Sequence, residues 1–251
     1  MVAGSGTGAV LSRLLHVPET GSTNADLRQL AEAGGGDVNW DGLWLRADRQ
    51  TAGRGRQGRD WFSPPGNFYG STLVRLRAGD PMAATLALVA AVAIEEAVRS
   101  CLPDFGARLA LKWPNDLLID GAKLSGILLE RTGDAIVIGM GVNLASAPDL
   151  PDRATTALDD HGILVTPEAM QATLADAMTR WVGIWREQGL ATVLERWEAR
   201  AHPRGTSLTA KLPDGQVLTG TFEGLASDGA LRLGLADGSS HVIHAGDIFL
   251  V

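Results

Sequence analysis

A single cysteine, Cys101, stands in 251 residues, so no intramolecular disulfide can form and no cysteine-rich zinc cage can be built. Such a lone thiol is expected to be buried. No apolar stretch reaches the roughly 18 uninterrupted residues of a membrane helix. The opening Met-Val-Ala-Gly-Ser-Gly-Thr-Gly has neither the basic region nor the apolar run of a signal peptide. Both readings point to the cytoplasm and away from a membrane. Positive charge is also short: 22 Lys and Arg face 29 Asp and Glu, a net charge of -7, which argues against a protein that mainly grips DNA or an anionic surface. With 45% hydrophobic residues the chain can bury a sizeable core, as one domain or as a large domain with a small appendage.

Against that acidic background, residues 47–63 concentrate cations. Arg49, Arg54, Arg56 and Arg59 are interleaved with Gly53, Gly55 and Gly58 between two strand-like runs, and Trp61 and Phe62 follow. Glycines let the backbone approach a ligand, and guanidinium forks suit phosphate or carboxylate. The stretch reads as a local anion site whose aromatics close over a ligand or pack on the body. The glycines also spell GxGxxG, but Pro64 and Pro65 stand where a dinucleotide fingerprint requires a helix start.

Around this loop the spacing predicts strands over Val10 to Val17, Leu43 to Asp48 and Asn67 to Arg77, with a helix from Asp26 to Ala33 stopped by Gly34-Gly35-Gly36. Thr23, three residues before Asp26, has the spacing of a helix cap; alternatively Ser22, Thr23 and Asn24 bind a polar ligand at the helix start. Met82 to Ser100 is apolar nearly all round and belongs inside. Its Glu95-Glu96 pair points two ways and is expected at a solvated edge. From Leu109 to Glu130 two strands turn on Asp120-Gly121, Pro114-Asn115-Asp116 interrupts the first, and Lys112 is expected on an edge or solvent face. Lys123, set among Leu and Ile, requires an anionic partner, and Gly126 marks a close approach. Ala135 to Leu144 is an apolar strand whose Asn143 must find hydrogen bonds, most simply to backbone.

Helices follow over Pro167 to Glu187, with Trp181 and Trp185 in the core, and over Leu190 to Arg200. After His202 the character changes to short strands turning at Asp214-Gly215, Asp228-Gly229 and Asp237-Gly238, which predicts a small β-barrel docked on the first domain. The boundary is set at 202/203. His241 and His244 face opposite sides of a strand, so no metal site is proposed there.

Gly21-Ser-Thr-Asn24, Gln50-Thr-Ala-Gly-Arg-Gly-Arg-Gln-Gly-Arg59 with Trp61, Lys112-Trp-Pro-Asn-Asp116, Lys123-Leu-Ser-Gly-Ile-Leu128 and Gly139-Met-Gly-Val-Asn143 together resemble the biotin protein ligases, from about Val10 to the C-terminus and most sharply to Asn143. The resemblance implies an α+β fold: a class II aminoacyl-tRNA-synthetase-like mixed sheet with helices over 1–202, and an SH3-like module over 203–251. It implies an enzyme that activates biotin with ATP and Mg2+ to biotinyl-5'-AMP and transfers biotin to a lysine of a carboxylase's biotin carboxyl carrier domain.

The site residues carried over by resemblance are Lys123, Arg54 and Arg56 for catalysis. Ser22, Thr23, Asn24, Gln50 and Gly55 join these three in holding biotin. Arg56, Arg59, Trp61, Lys112, Asn115 and Asn143 would meet the nucleotide, and Asp116 would be linked to magnesium. Some relatives carry a DNA-binding domain before this motif series; Ser22 to Asn24 comes too early for one, so no operator binding is expected. A lipoate-type ligase and a nucleic-acid-binding module using the arginine loop are the alternatives, and oligomeric state is left open.

Overall fold

The structure, a computed structural model, describes residues 13–33, 40–102 and 109–250. The start of the first expected strand, Val10 to Ser12, and the glycine stop at Gly34 to Gly36 lie outside the described residues. Seven strands, β1 (Arg13–Thr20), β2 (Leu43–Gln50), β3 (Phe68–Arg75), β4 (Leu109–Lys112), β5 (Asp116–Ile119), β6 (Ala122–Thr132) and β7 (Ala135–Val142), form one mixed sheet in the order β1-β2-β3-β7-β6-β5-β4. β1 and β2 run parallel, joined by α1 (Thr23–Ala33), and the other neighbours are antiparallel.

Two expectations are refined here. Residues 109–119 are a hairpin of their own, with Lys112 paired to Asp116, because Pro114 cannot donate to a ladder and the chain reverses there. Asp120 and Gly121 take positive φ, 48° and 81°, and make the second turn. The Thr23–Asp26 cap does not form: Asp26 accepts from the Thr20 hydroxyl at 2.6 Å, and the Thr23 side chain points to Gln50 and Ser71.

The apolar helix α2 (Leu86–Ser100) is buried on nearly every face, packed by α3 (Pro167–Glu187) and α4 (Leu190–Glu198) on one side and by the sheet on the other. Trp185 is fully buried and Trp181 nearly so. Cys101 is only half-buried, because it lies in the turn just beyond α2. The Glu95-Glu96 pair departs further from expectation. Its members do point apart, but Glu95 is 0% exposed and meets Arg99, Arg196 at 2.8 Å and Arg200 at 3.8 Å, while Glu96 accepts from Arg180 and from the Trp181 indole at 2.9 Å. Three arginines converging between α2 and α4 require a buried counter-charge, and Glu95 supplies it.

Five short strands, β8 (Ser207–Lys211), β9 (Val217–Leu225), β10 (Leu231–Gly234), β11 (Ser240–Ile243) and β12 (Asp247–Leu250), make a separate antiparallel sheet ordered β11-β10-β9-β8-β12. It docks on the large sheet. The Trp113 indole donates to Gly229 O at 3.0 Å, Arg56 donates to Gly246 O at 3.3 Å, and one apolar cluster runs through both units.

At this seam sits His202, whose Nε2 is buried without a partner among the described residues. Burial, reinforced by the charge of Lys112, lowers its pKa to about 4. An unfolded histidine titrates near 6.5, so between those values the unfolded chain binds a proton that the folded chain refuses. Stability is therefore full above about pH 6.5 and falls towards pH 4, by about 2 kcal/mol once screening of the partly exposed ring is allowed for. In His202→Asn the drop in unfolding free energy from urea melts between pH 7 and 4.5 should be smaller than in the wild type by that amount; an unchanged drop would contradict the assignment.

Candidate active site

The arginine loop is a small hairpin rather than a formless turn. Trp61 N–H donates to Gly53 O at 2.9 Å, Arg54 and Asp60 bridge, and Gly55 N–H donates to Arg59 O at 2.7 Å. At its tip Gln57 and Gly58 have positive φ, 57° and 71°. Gly53, Gly55, Arg56 and Arg59 line a cleft of about 1110 Å³, whereas Arg54 is exposed and lies outside the lining. The side chain of Arg54, expected to hold biotin, is placed outside this lining, because the turn at Arg56–Gly58 ends the strand alternation that would have put it on the same face as Arg56.

The cleft lies between the loop, the β4–β5 and β6–β7 strands, residues 148–155 and the start of β12. At its centre Asp116 is paired to Lys123 at 2.6 Å and to Lys112 at 3.4 Å. Both lysine side chains are less than one-fifth exposed. Register explains the meeting, since β5 places Asp116 opposite Lys112 on one side and opposite Gly126 on the other. Burial alone would raise the Asp116 carboxyl, but Lys123 and Lys112 outweigh it and hold it below the usual carboxylate range. For Lys112, burial lowers the ammonium value despite Asp116, with the charges of Lys123 and Arg153 adding to the effect. Lys112 is thus not a solvent-face residue: it ends an edge strand, but the strand's tip is folded into the cleft.

The Asp116 carboxylate is clamped by two ammonium groups and serves here as their counter-ion.

Arg56 donates to Asn115 Oδ1 and to Gly246 O, both at 3.3 Å, and Arg59 is paired with Asp247. Burial lowers the Arg56 value, with Asp247 and Asp116 opposing the shift. Trp61 lies on the sheet where glycines make room. A Cβ on Gly141 would come within 2.5 Å of its ring and one on Gly126 within 2.9 Å. Lys123 Nζ is 5.5 Å from the ring centroid, within cation–π range, and the buried indole N–H has no acceptor among the described residues. Asn143 lines the cleft and donates to Thr156 O at 3.1 Å, the backbone partner expected for it.

Gln50, last in β2, also lines the cleft, and its Oε1 accepts from Thr23 N–H at 2.9 Å. Ser22, Thr23 and Asn24 are buried behind it rather than in the lining. Sequence reasoning missed Asp247, Arg153, Ser71 and Glu130. Asp247 lies far along the chain from the motifs, Arg153 stands in the loop beyond the last of them, and Ser71 and Glu130 read as ordinary strand residues. Six cationic and four anionic side chains line the cleft, a local net of +2 on a chain of -7. The arrangement can bring two anions together and stabilise charge that moves between them.

Comparison with known proteins gives the family. Residues 39–143 match the Biotin/lipoate A/B protein ligase family and residues 208–251 match the Biotin protein ligase C terminal domain. A Biotin--[acetyl-CoA-carboxylase] ligase of Paracoccus denitrificans is 40% identical over 92% of this chain and 97% of its own length. The chain belongs to the biotin protein ligases. A second Biotin--[acetyl-CoA-carboxylase] ligase, from Mycobacterium tuberculosis, is 35% identical over 97% of this chain and 91% of its own. Among solved structures, the biotin protein ligase of Leishmania major in complex with biotinyl-5-AMP is 27% identical, with a TM-score of 0.65 over 93% of this chain and 99% of that one. The biotin protein ligase of Aquifex aeolicus in complex with biotin and ATP shares the fold, with a TM-score of 0.83 at 24% identity over 96% of this chain and 100% of that one. Within the biotin protein ligase family the two matched segments correspond to the mixed sheet and the C-terminal sheet seen here. No helix of the described residues is long and apolar enough to cross a membrane.

Proposed function

We propose that this protein is an ATP-dependent biotin protein ligase. The biotin carboxylate attacks the α-phosphorus of ATP, forming a new O–P bond as the bond to the β-phosphate oxygen breaks and pyrophosphate leaves. The amine of an acceptor lysine, in the biotin carboxyl carrier domain of an acyl-CoA carboxylase, then attacks the acyl carbon of biotinyl-5'-AMP, and AMP departs. The single observation that carries the reading is the Lys123–Asp116–Lys112 cluster facing the arginine hairpin across one cleft, in a chain of this family.

The physics suits the chemistry. Two unit negative charges 4 Å apart repel by about 1 kcal/mol in water and about 4 kcal/mol at an effective dielectric of 20, and the cationic lining offsets that repulsion. In this reading Lys123 neutralises charge at the reacting carboxylate and α-phosphate, Asp116 holds it in place, and Lys112, Arg56 and Arg59 meet the phosphates. Trp61 covers the reactants and Asn115 steadies Arg56. No side chain acts as a covalent nucleophile; catalysis is positioning and electrostatic stabilisation. Magnesium would enter with the ATP phosphates, which need at most one or two protein carboxylates beside them to hold it.

Biotin-dependent pyrophosphate release from ATP tests the reading. Release with biotin and not with lipoate is expected, followed by label transfer to a carrier domain. No release with biotin, or equal release with lipoate, would overturn it, and tight, salt-dependent polynucleotide binding in place of turnover would favour a nucleic-acid module. The hairpin offers a second test. Its arginines are held by Asp247 and Gly246 O, and bound anions should tie it down further. Protease cleavage within residues 53–59 is expected to slow several-fold with biotin and ATP together; unchanged cleavage would count against closure.

A further inference from the structure

Two segments that line the cleft, the exit of the arginine hairpin and the loop after β7, meet at the entry to β3. Asn67, 1% exposed and outside the lining, accepts at Oδ1 from three successive backbone N–H groups: Leu144 at 2.9 Å, Ala145 at 2.8 Å and Ser146 at 3.1 Å. Its Nδ2 donates to Ser146 O at 2.8 Å. These partners fix the amide's orientation, since only Oδ1 accepts and only Nδ2 donates. Two residues on, the buried Tyr69 hydroxyl donates to Pro64 O at 2.7 Å and so holds the chain that leaves the hairpin. Between Pro64 and Asn67 the backbones run close: a Cβ on Gly66, whose φ is 94°, would stand 2.9 Å from Ala145 Cβ.

Three N–H groups turned on one oxygen form a concave donor nest of the kind that takes an anion. Here the chain's own amide fills it. The loop then runs on to a second tie, where Lys123 N–H donates to Ala154 O at 2.9 Å and Thr156 N–H donates to Lys123 O at 3.0 Å. Among the described residues no backbone hydrogen bond joins the span between, 147–153, to the sheet. From that span Pro148, Leu150, Asp152 and Arg153 line the cleft, and the charge of Arg153 reaches Lys112 and Asp116. Its position is therefore set by its two ends, the Lys123 backbone at one and the Asn67 side chain at the other.

We infer that Asn67 is a positioning residue: from outside the cleft it fixes residues 147–153 against the end where Lys112 and Asp116 meet the phosphates, and sets them in register with the arginine hairpin through the Pro64–Gly66 turn. This deepens the function proposed above and rests on it.

The experiment is steady-state biotin-dependent pyrophosphate release by the full chain, with KM for ATP and KM for biotin measured separately, for wild type, Asn67→Ala, Asn67→Asp and Gly66→Ala. Asn67→Ala removes the acceptor and should raise KM for ATP about tenfold, the fold-change to which one net hydrogen bond corresponds. KM for biotin should stay within threefold, because Gln50 has no bond to this loop among the described residues. Asn67→Asp loses the bond to Ser146 O but keeps the acceptor, and a carboxylate accepts N–H bonds more strongly than an amide, so its KM for ATP should stay within threefold of wild type. Gly66→Ala leaves Asn67 in place, pushes on Ala145, and should raise KM for ATP as Asn67→Ala does. Limited proteolysis adds a readout that general destabilisation would not reproduce: in Asn67→Ala, trypsin cleavage after Arg153 should rise several-fold while cleavage at other sites keeps its wild-type rate. An unchanged KM for ATP in Asn67→Ala, an equal rise in both KM values, or an Asn67→Asp as impaired as Asn67→Ala would overturn the inference. Should Asn67→Ala fail to fold, Gly66→Ala carries the test, and a wild-type KM for ATP there would overturn it. If the wild type releases no pyrophosphate with biotin, the functional reading fails; if it does and Asn67→Ala behaves as wild type, this inference alone fails.

Discussion

Lys123→Ala is expected to lower kcat/KM for biotin-dependent pyrophosphate release by roughly 100- to 1000-fold, the usual cost of removing one preorganised donor from a developing charge. The side chain is held 2.6 Å from Asp116 and close to the Trp61 ring, so it is already where the charge appears and needs no reorganisation. The same substitution leaves Asp116, only 5% exposed, with Lys112 alone at 3.4 Å, and a loss of about 2 kcal/mol in stability should accompany the kinetic one. Saturation kinetics and a urea melt separate the two. A stable variant with a rate within tenfold of wild type would remove Lys123 from the chemistry.

Gly141→Ala is the second large expectation, and it works through packing. The added Cβ would sit 2.5 Å from the Trp61 ring, far inside contact distance, so the indole must leave the sheet. Trp61 N–H closes the arginine hairpin on Gly53, so the hairpin must shift with it, and Arg56 and Arg59 with the hairpin. A fall of about 100-fold in kcat/KM is expected, because small misplacements of positioning groups cost that much. A double-mutant cycle isolates the cause. In a Trp61→Ala background, Gly141→Ala should add less than threefold, since nothing remains to collide with. Full additivity would mean that the methyl group acts on the sheet itself.

Much of this was legible in the sequence, for reasons that differ from place to place. The order of strands and helices followed from apolar periodicity and turn residues, and Asp120-Gly121 turned where its conformational freedom demanded. Lys123 was recognisable because a lysine among Leu and Ile must find an anion, although Asp116 could not be named its partner until the pairing of β5 with β6 brought the two together. Gly126 announced a close approach, and Trp61 is what approaches.

What escaped the sequence depends on pairing across the fold. Arg54 looked equal to Arg56 because the two share strand parity, and only the turn over Arg56–Gly58 separates them. Glu95 looked solvated because Arg196 and Arg200 arrive from a helix about a hundred residues later. Asp247 is a common acidic residue near the chain's end until the C-terminal sheet docks and sets it against Arg59. The clamp of Asn67 on residues 144–146 joins separate segments, each unremarkable alone.

The central claim is that cations from separate segments hold the carboxylate of biotin and the phosphates of ATP side by side. A crystal structure of the chain with biotin and a non-hydrolysable ATP analogue tests it most directly. The carboxylate and α-phosphate should share the space beside Lys123, with Arg56, Arg59 and Lys112 within hydrogen-bonding distance of the phosphates and Trp61 over them. Ligands bound elsewhere, or both in the cleft with Lys123 still turned to Asp116 and touching neither, would contradict it.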